Sequence, residues 1–204
     1  MKTNTNSYTI IYSAVLVIIV AFLLAFVYQA LKPLQDANVA LDQKKQILNA
    51  LNMRNLPDDE VEATYGKVVK ETEQNGKTIY DCHVDGHEVY IFPMKGMGLW
   101  GGISGYIAID GNDMNTVYGV YFNHEGETAG LGAEIKDNVE WQKKFEGKKV
   151  FKDGSKEIAL GVKKKVENPD NEVDAVTGAT LTSNGVDEML KKCLKEYDLQ
   201  NLKK

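Results

Sequence analysis

The sequence predicts an α+β protein: one N-terminal helix able to cross a membrane, then a domain with an antiparallel sheet flanked by helices. Three observations predict it. An uncharged apolar run occupies residues 8–30, short alternating apolar runs fill the middle, and an amphipathic stretch lies near the end. The 204 residues suit one domain plus an appendage.

The first element reads YTIIYSAVLVIIVAFLLAFVYQA, unbroken in its apolar character from Ala14 to Val27. Roughly 20 such residues cross a hydrocarbon layer of about 30 Å. Tyr8, Tyr12 and Tyr28 lie toward its ends, where aromatic side chains meet the interface. A cleaved signal peptide is the rival reading. The only basic residue ahead of the run is Lys2, and no small-x-small cleavage site follows, so a retained anchor is expected. Lys32, Lys44 and Lys45 follow the span, offset by Asp36 and Asp42, a slight lean toward a cytoplasmic C-terminal part. Pro33 is expected to break or kink the chain just past the membrane.

The sequence divides into an anchor at 1–34, a juxtamembrane helical segment at 35–72 and a main domain at 73–204. Val39 to Leu51 carries apolar residues at helical spacing. A second helix is expected from Asp58 to Thr72, with Asp58 able to cap it. TIYDCHV and HEVYIF flank Asp85-Gly86, the signal of a two-residue type I′ hairpin. Pairing across that turn sets Cys82 opposite Val89 and Tyr80 opposite Ile91, an apolar face. Asp81, His83 and Glu88 fall on the other face. Asp81, His83, Asp85 and His87 alternate as metal ligands would, but a solvated hairpin face explains them more simply, and no metal is expected.

Ile103 to Ile109 and Thr116 to Asn123 read as two more strands, turning at Asp110-Gly111-Asn112. A short helix from Asp137 to Glu146 puts Trp141 and Phe145 on one face. Val150-Phe151 and Ile158-Ala159-Leu160 read as late strands. Ser183 to Tyr197 is the final helix, with Val186, Leu190, Cys193, Leu194 and Tyr197 along one side.

Composition excludes several functions. A net charge of −5 and lysines interleaved with acids argue against a nucleic-acid face. Cys82 and Cys193 lack metal-ligand spacing, and both fit apolar faces as free thiols. Three histidines, none in a recognisable setting with Ser or Cys, argue against a hydrolytic triad, so no catalytic residue is assigned. No GxGxxG or GxxxxGK[ST] pattern joins a strand to a helix, so dinucleotide chemistry is absent from this chain's motifs.

Three segments remain that suit a flat, phosphate-bearing ligand. GMGLWGG, Gly96 to Gly102, offers Leu99 and Trp100 on flexible backbone; the alternative is a bulge with a core tryptophan. ETAGLG, Glu127 to Gly132, offers Glu127, Thr128 and glycine amides to a heterocycle edge; the alternative is a plain turn. DAVTGATLTS, Asp174 to Ser183, crowds hydroxyls ahead of a helix. Thr182 or Ser183 is expected to cap it, and a phosphate at Thr180 would face the free N–H groups of the helix start.

Asp174 to Thr180, DAVTGAT, matches the flavinylation pattern D-x-x-[ST]-G-A-T, and the chain resembles the FMN-binding-domain family. Within it, the chain is most similar to the C subunits of sodium-translocating NADH:quinone reductases. That likeness runs through the N-terminal span, Gly98-Leu99-Trp100, Glu127 to Ile135, Trp141 to Lys149 and the final helix. Ala129 stands where such proteins usually carry proline. G subunits of ferredoxin:NAD reductase complexes share the TGAT pattern and a glycine loop and are the nearer alternative; a membrane-tethered binding module without redox chemistry is the more distant one.

The resemblance implies that Thr180 carries FMN through a phosphoester, installed by a separate FMN transferase for which Asp174 is a recognition element. Thr177, Gly178, Ala179, Leu181 and Thr182 would shape the attachment. Leu99, Trp100, Glu127, Thr128, Gly130, Leu131 and Gly132 would contact or flank the ring. It implies the other subunits of the complex as partners. It also implies a single-pass protein of the bacterial cytoplasmic membrane whose domain lies on the outer side.

Overall fold

The computed structural model describes residues 6–74, 76–197 and 199. The chain divides into two compact units, Met1–Asp42 and Gln43–Lys204.

Helix α1 (Asn6–Ala50) supplies the described part of the first unit, and its last turns, from Gln43, belong to the second. In the first unit, isoleucine, leucine, valine and phenylalanine side chains are exposed around the whole helix. By length and composition this is a helix able to cross a membrane. Pro33 lies inside α1 and does not end it. Proline removes one intrahelical hydrogen bond, and the turns on either side supply the rest.

In the second unit Ile47, Leu48, Ala50 and Leu51 are buried. Asn52 and Asn55 take positive φ values of 63° and 62°, which stop α1 and turn the chain. Helix α2 (Asp58–Val68) follows. It ends before Thr72, and Pro57, not Asp58, is its N-cap, without a side-chain cap bond.

Strands β1 (Val69–Gln74), β2 (Lys77–Val84), β3 (His87–Met97), β4 (Gly102–Asp110) and β5 (Val117–His124) form an antiparallel meander in chain order. The sequence predicts helix over residues 69–72 of the first of these. VKETEQ has no buried residue, so neither period shows. Pairing with β2 decides it, Val69 opposite Cys82, and its charges suit an outer edge. The β2–β3 register is the predicted one, with Tyr80 opposite Ile91 and Cys82 opposite Val89. Asp85 and Gly86 have φ of 51° and 83°, as a type I′ turn requires. The opposite edge, β5, is covered: Asn52 and Arg54 donate to the Tyr118 and Val120 carbonyls at 3.1 and 3.0 Å.

After β5 the expected single helix is two short ones, α3 (Glu134–Asp137) and α4 (Val139–Lys143). Asn138 breaks them apart because its side chain caps α4, accepting the Trp141 N–H at 3.0 Å. Trp141 and Phe145 still share one buried face with Phe122, at centroid distances of 5.3–5.7 Å. Residues 150–151 and 158–160 form only an isolated bridge, Phe151 to Ile158. The late strands are β6 (Gly161–Lys163) and β7 (Glu172–Asp174), a parallel pair. Helix α5 (Thr180–Glu196) then packs Val186, Met189, Leu190 and Leu194 into the core shared with Phe92, Met94 and Ile103.

Cys82 and Cys193 are buried free thiols. Burial, aided by Asp81, pushes the Cys82 thiol up to about 12, so it is inert packing.

Candidate cofactor site

The sheet and α5 bring the three ligand-suited segments to one place. The first, between β3 and β4, is closed by a hydrogen bond from the Gly98 N–H to the Gly101 carbonyl at 2.8 Å. It turns Leu99 and Trp100 outward, 47% and 70% exposed. Trp100 is therefore not a core tryptophan. Met97 beside them is exposed as well, a neighbour with no signal in the sequence.

The second segment follows β5. Thr128 accepts at its carbonyl from the Leu131 and Ala133 N–H groups, both at 3.1 Å. Thr128, Gly130 and Leu131 are exposed, whereas Glu127 and Gly132 are buried. The third segment starts at Asp174, whose carbonyl accepts the Trp141 indole N–H at 2.7 Å. Its carboxylate is held by the Lys144 ammonium at 2.8 and 2.9 Å, a pairing with no sequence signal. Thr177 and Asp174 line a surface cavity of about 350 Å³ together with Gly130, Trp141 and Lys144.

Helix α5 begins at Thr180, earlier than expected, with Ala179 as N-cap. Neither Thr182 nor Ser183 caps it. Their hydroxyls serve tertiary bonds: Thr182 donates to Glu127 Oε2 at 2.6 Å, and Ser183 Oγ accepts the Val176 N–H at 3.1 Å. The helix start has no side-chain cap and no acid in its first turn. Its first N–H groups have no intrahelical acceptor, and the helix dipole makes this end attractive to an anion. Thr177, Gly178, Thr180 and Leu181 are exposed, and Ala179 is buried. Of the hydroxyls at 180, 182 and 183, only that of Thr180 lies on an exposed residue.

Glu127 joins all three segments. Its Oε1 accepts the Trp100 N–H at 2.9 Å and its Oε2 accepts the Thr182 hydroxyl. Burial works to raise its pKa, but hydrogen bonds from Thr182 and the Trp100 and Leu99 amides, with nearby His124, hold it below the usual carboxylate range. Gly98 and Gly132 exist because of it: a Cβ at either would run into the Glu127 carboxylate. Gly178 takes φ 78°, and a Cβ there would also press on Leu131 at 2.9 Å. The predicted residues are thus gathered, and the buried clamp at their centre has no signature in the sequence.

Asp81, His83 and Glu88 lie on the solvent face of the hairpin, with ligand atoms within 4.8 Å of one another. His83 Nδ1 is 3.8 Å from Asp81 Oδ1.

Residues 98–195 match the family model of the FMN-binding domain. The C subunit of the Na(+)-translocating NADH-quinone reductase of Haemophilus ducreyi is 46% identical over 102 residues, covering 50% of this chain and 38% of the relative. This match therefore spans about two fifths of the curated relative's length. The crystal structure of the C subunit of the Na(+)-translocating NADH-quinone reductase from Parabacteroides distasonis superposes with a TM-score of 0.76 at 34% identity. That superposition covers 85% of this chain and 98% of the solved one. The structure of Shewanella oneidensis NqrC shares the fold, with a TM-score of 0.62 at 23% identity over 74% of this chain and 89% of that one. With residues 98–195 matched to the domain model and 98% of a solved C subunit superposed at 34% identity, the chain belongs to the family of Na(+)-translocating NADH-quinone reductase C subunits.

Proposed function

We propose that this chain is a membrane-anchored electron-transfer protein that holds FMN through a phosphoester to Thr180 and works within a sodium-pumping NADH:quinone reductase. The observation that carries the reading is the contrast among the three hydroxyls in the first turn of α5, at Thr180, Thr182 and Ser183. Thr180 stands exposed at a helix start without a side-chain cap, while the Thr182 and Ser183 hydroxyls are spent inside the protein. An esterified phosphate at Thr180 would sit against the free N–H groups of α5.

FMN supplies one-electron chemistry when bound, and the protein binds and orients it. Leu99, Trp100 and Leu131 offer apolar surface to a ring; Thr128, Gly130 and the backbone around them offer polar edges. Covalent attachment prevents loss of the group and fixes its distance to the next carrier. Asp174, set by Lys144 and Trp141, is exposed and so accessible to an FMN transferase. Residues 1–34 would anchor the chain in the bacterial cytoplasmic membrane, 35–72 would lead from it, and 73–204 would form the flavin domain on the outer side. Other subunits of the complex supply NADH oxidation, since this chain has no dinucleotide motif.

The test is intact mass under denaturing conditions after coexpression with the transferase. The wild type should gain one FMN less one water. Thr180→Ala should lose the adduct, and Thr182→Ala should keep it. An adduct surviving in Thr180→Ala overturns the reading.

A further inference from the structure

We infer that Glu127 is the positioning residue of this site: its buried carboxylate pins the Trp100 loop to the first turn of α5 and biases the held cofactor against reduction. The inference rests on the FMN reading above but names a residue role that reading does not need.

A carboxylate that is only 8% exposed is costly unless its charge is met. Among the described residues no lysine or arginine pairs with Glu127. Hydrogen bonds hold the charge instead, from the Trp100 amide and from Thr182. These donors lie 27 and 55 residues away in sequence, so one side chain sets where two remote segments sit. Gly98 and Gly132 flank the same two oxygens, and a Cβ at either would run into them. Thr182 is two residues from Thr180, and Trp100 is a flank of the site. Glu127 therefore holds a negative charge, met among the described residues by hydrogen bonds and by His124 but by no lysine or arginine, between two of the segments that would hold FMN. Like charges repel, and a partly buried pair is weakly screened.

A purely structural knot and a charged one differ in a single substitution. Glu127→Gln is close in shape and can keep both bonds, its carbonyl accepting from Trp100 and its NH₂ donating to the Thr182 oxygen. Only the charge goes. Glu127→Ala removes both bonds as well.

The experiment uses the full chain coexpressed with an FMN transferase and has two readouts. Spectroelectrochemical titration reads the midpoint potential of the bound flavin. Hydrogen exchange reads protection of the amides of Leu99, Trp100 and Gly101. Glu127→Gln is expected to keep protection and raise the potential, changing the reduced-to-oxidised ratio at a fixed poise by about tenfold. Glu127→Ala is expected to lose protection of the loop. An unchanged potential in Glu127→Gln, or an unchanged loop in Glu127→Ala, overturns the inference. Should the wild type carry no flavin, the FMN reading fails and the redox half of this inference fails with it; the clamp is then decided by exchange alone.

Discussion

Acidic side chains stand in two contrasting settings in the second unit, a cluster on the hairpin and one buried acid at the site. On the β2–β3 hairpin, Asp81, His83 and Glu88 meet on a face turned to solvent, with His83 and Glu88 exposed. At the junction beside the TGAT segment, a single acid, Glu127, is buried with both oxygens engaged by the protein. On the hairpin, water reaches His83 and Glu88 and can replace a partner either one loses, so their contacts are worth little, although Asp81 Oδ1 is buried without a hydrogen-bond partner. At the junction the Thr182 bond is buried and the Trp100 bond part-buried, so a lost partner is replaced by water less readily. Clustering of charge is therefore a poor guide to importance here, and burial with complete hydrogen bonding is the better one.

The largest effect that sharpens this contrast is all-or-none: Thr180→Ala abolishes the covalent adduct, while Thr182→Ala leaves it but loosens the junction. The second is thermodynamic. Glu127→Ala should lower unfolding free energy by about 2–4 kcal/mol in urea denaturation, since a buried hydroxyl and a part-buried amide lose their acceptor and a void opens. A loss under about 0.5 kcal/mol would put Glu127 in the same class as the hairpin acids.

Legibility in the sequence depends on how local the cause is. The hairpin is readable with its register because Asp85-Gly86 encodes a type I′ turn within two residues. Strand β1 reads as helix because VKETEQ buries nothing and gains its structure from β2. The start of α5 reads too late because Ser and Thr before a helix usually cap it. Here Thr182 and Ser183 answer to Glu127 and Val176 instead. The site segments are legible as glycine-rich and hydroxyl-rich patterns. The clamp is not, since nothing local distinguishes Glu127 from a loop acid until Trp100 and Thr182 arrive beside it.

A third effect, smaller again, concerns space. Gly132→Ala should cost about 1–3 kcal/mol, because its methyl group would displace the Glu127 carboxylate from Thr182; the same unfolding assay checks it. A fourth concerns pH. The folded pKa of Glu127 is depressed below its ordinary 4.5, and that of Asp113 from 3.8 to about 2. For Asp113, burial works the other way and is outweighed by hydrogen bonds from Thr116, Asn115 and Lys149. Both contributions are present above the ordinary values and are lost as pH falls through the folded ones. Thermal stability should decline below about pH 4.5, and Glu127→Gln should flatten part of that decline. The smallest effect belongs to the hairpin: His83→Ala should change unfolding free energy by under about 0.5 kcal/mol.

The most direct test of the central claim is tandem mass spectrometry of the tryptic peptide spanning residues 166–191, taken from full chain matured with the transferase. That peptide holds Thr177, Thr180, Thr182 and Ser183 together. The account predicts a yellow, fluorescent peptide whose fragments place one flavin phosphoester on Thr180. A flavin on Thr177, Thr182 or Ser183, or an unmodified peptide, would contradict it.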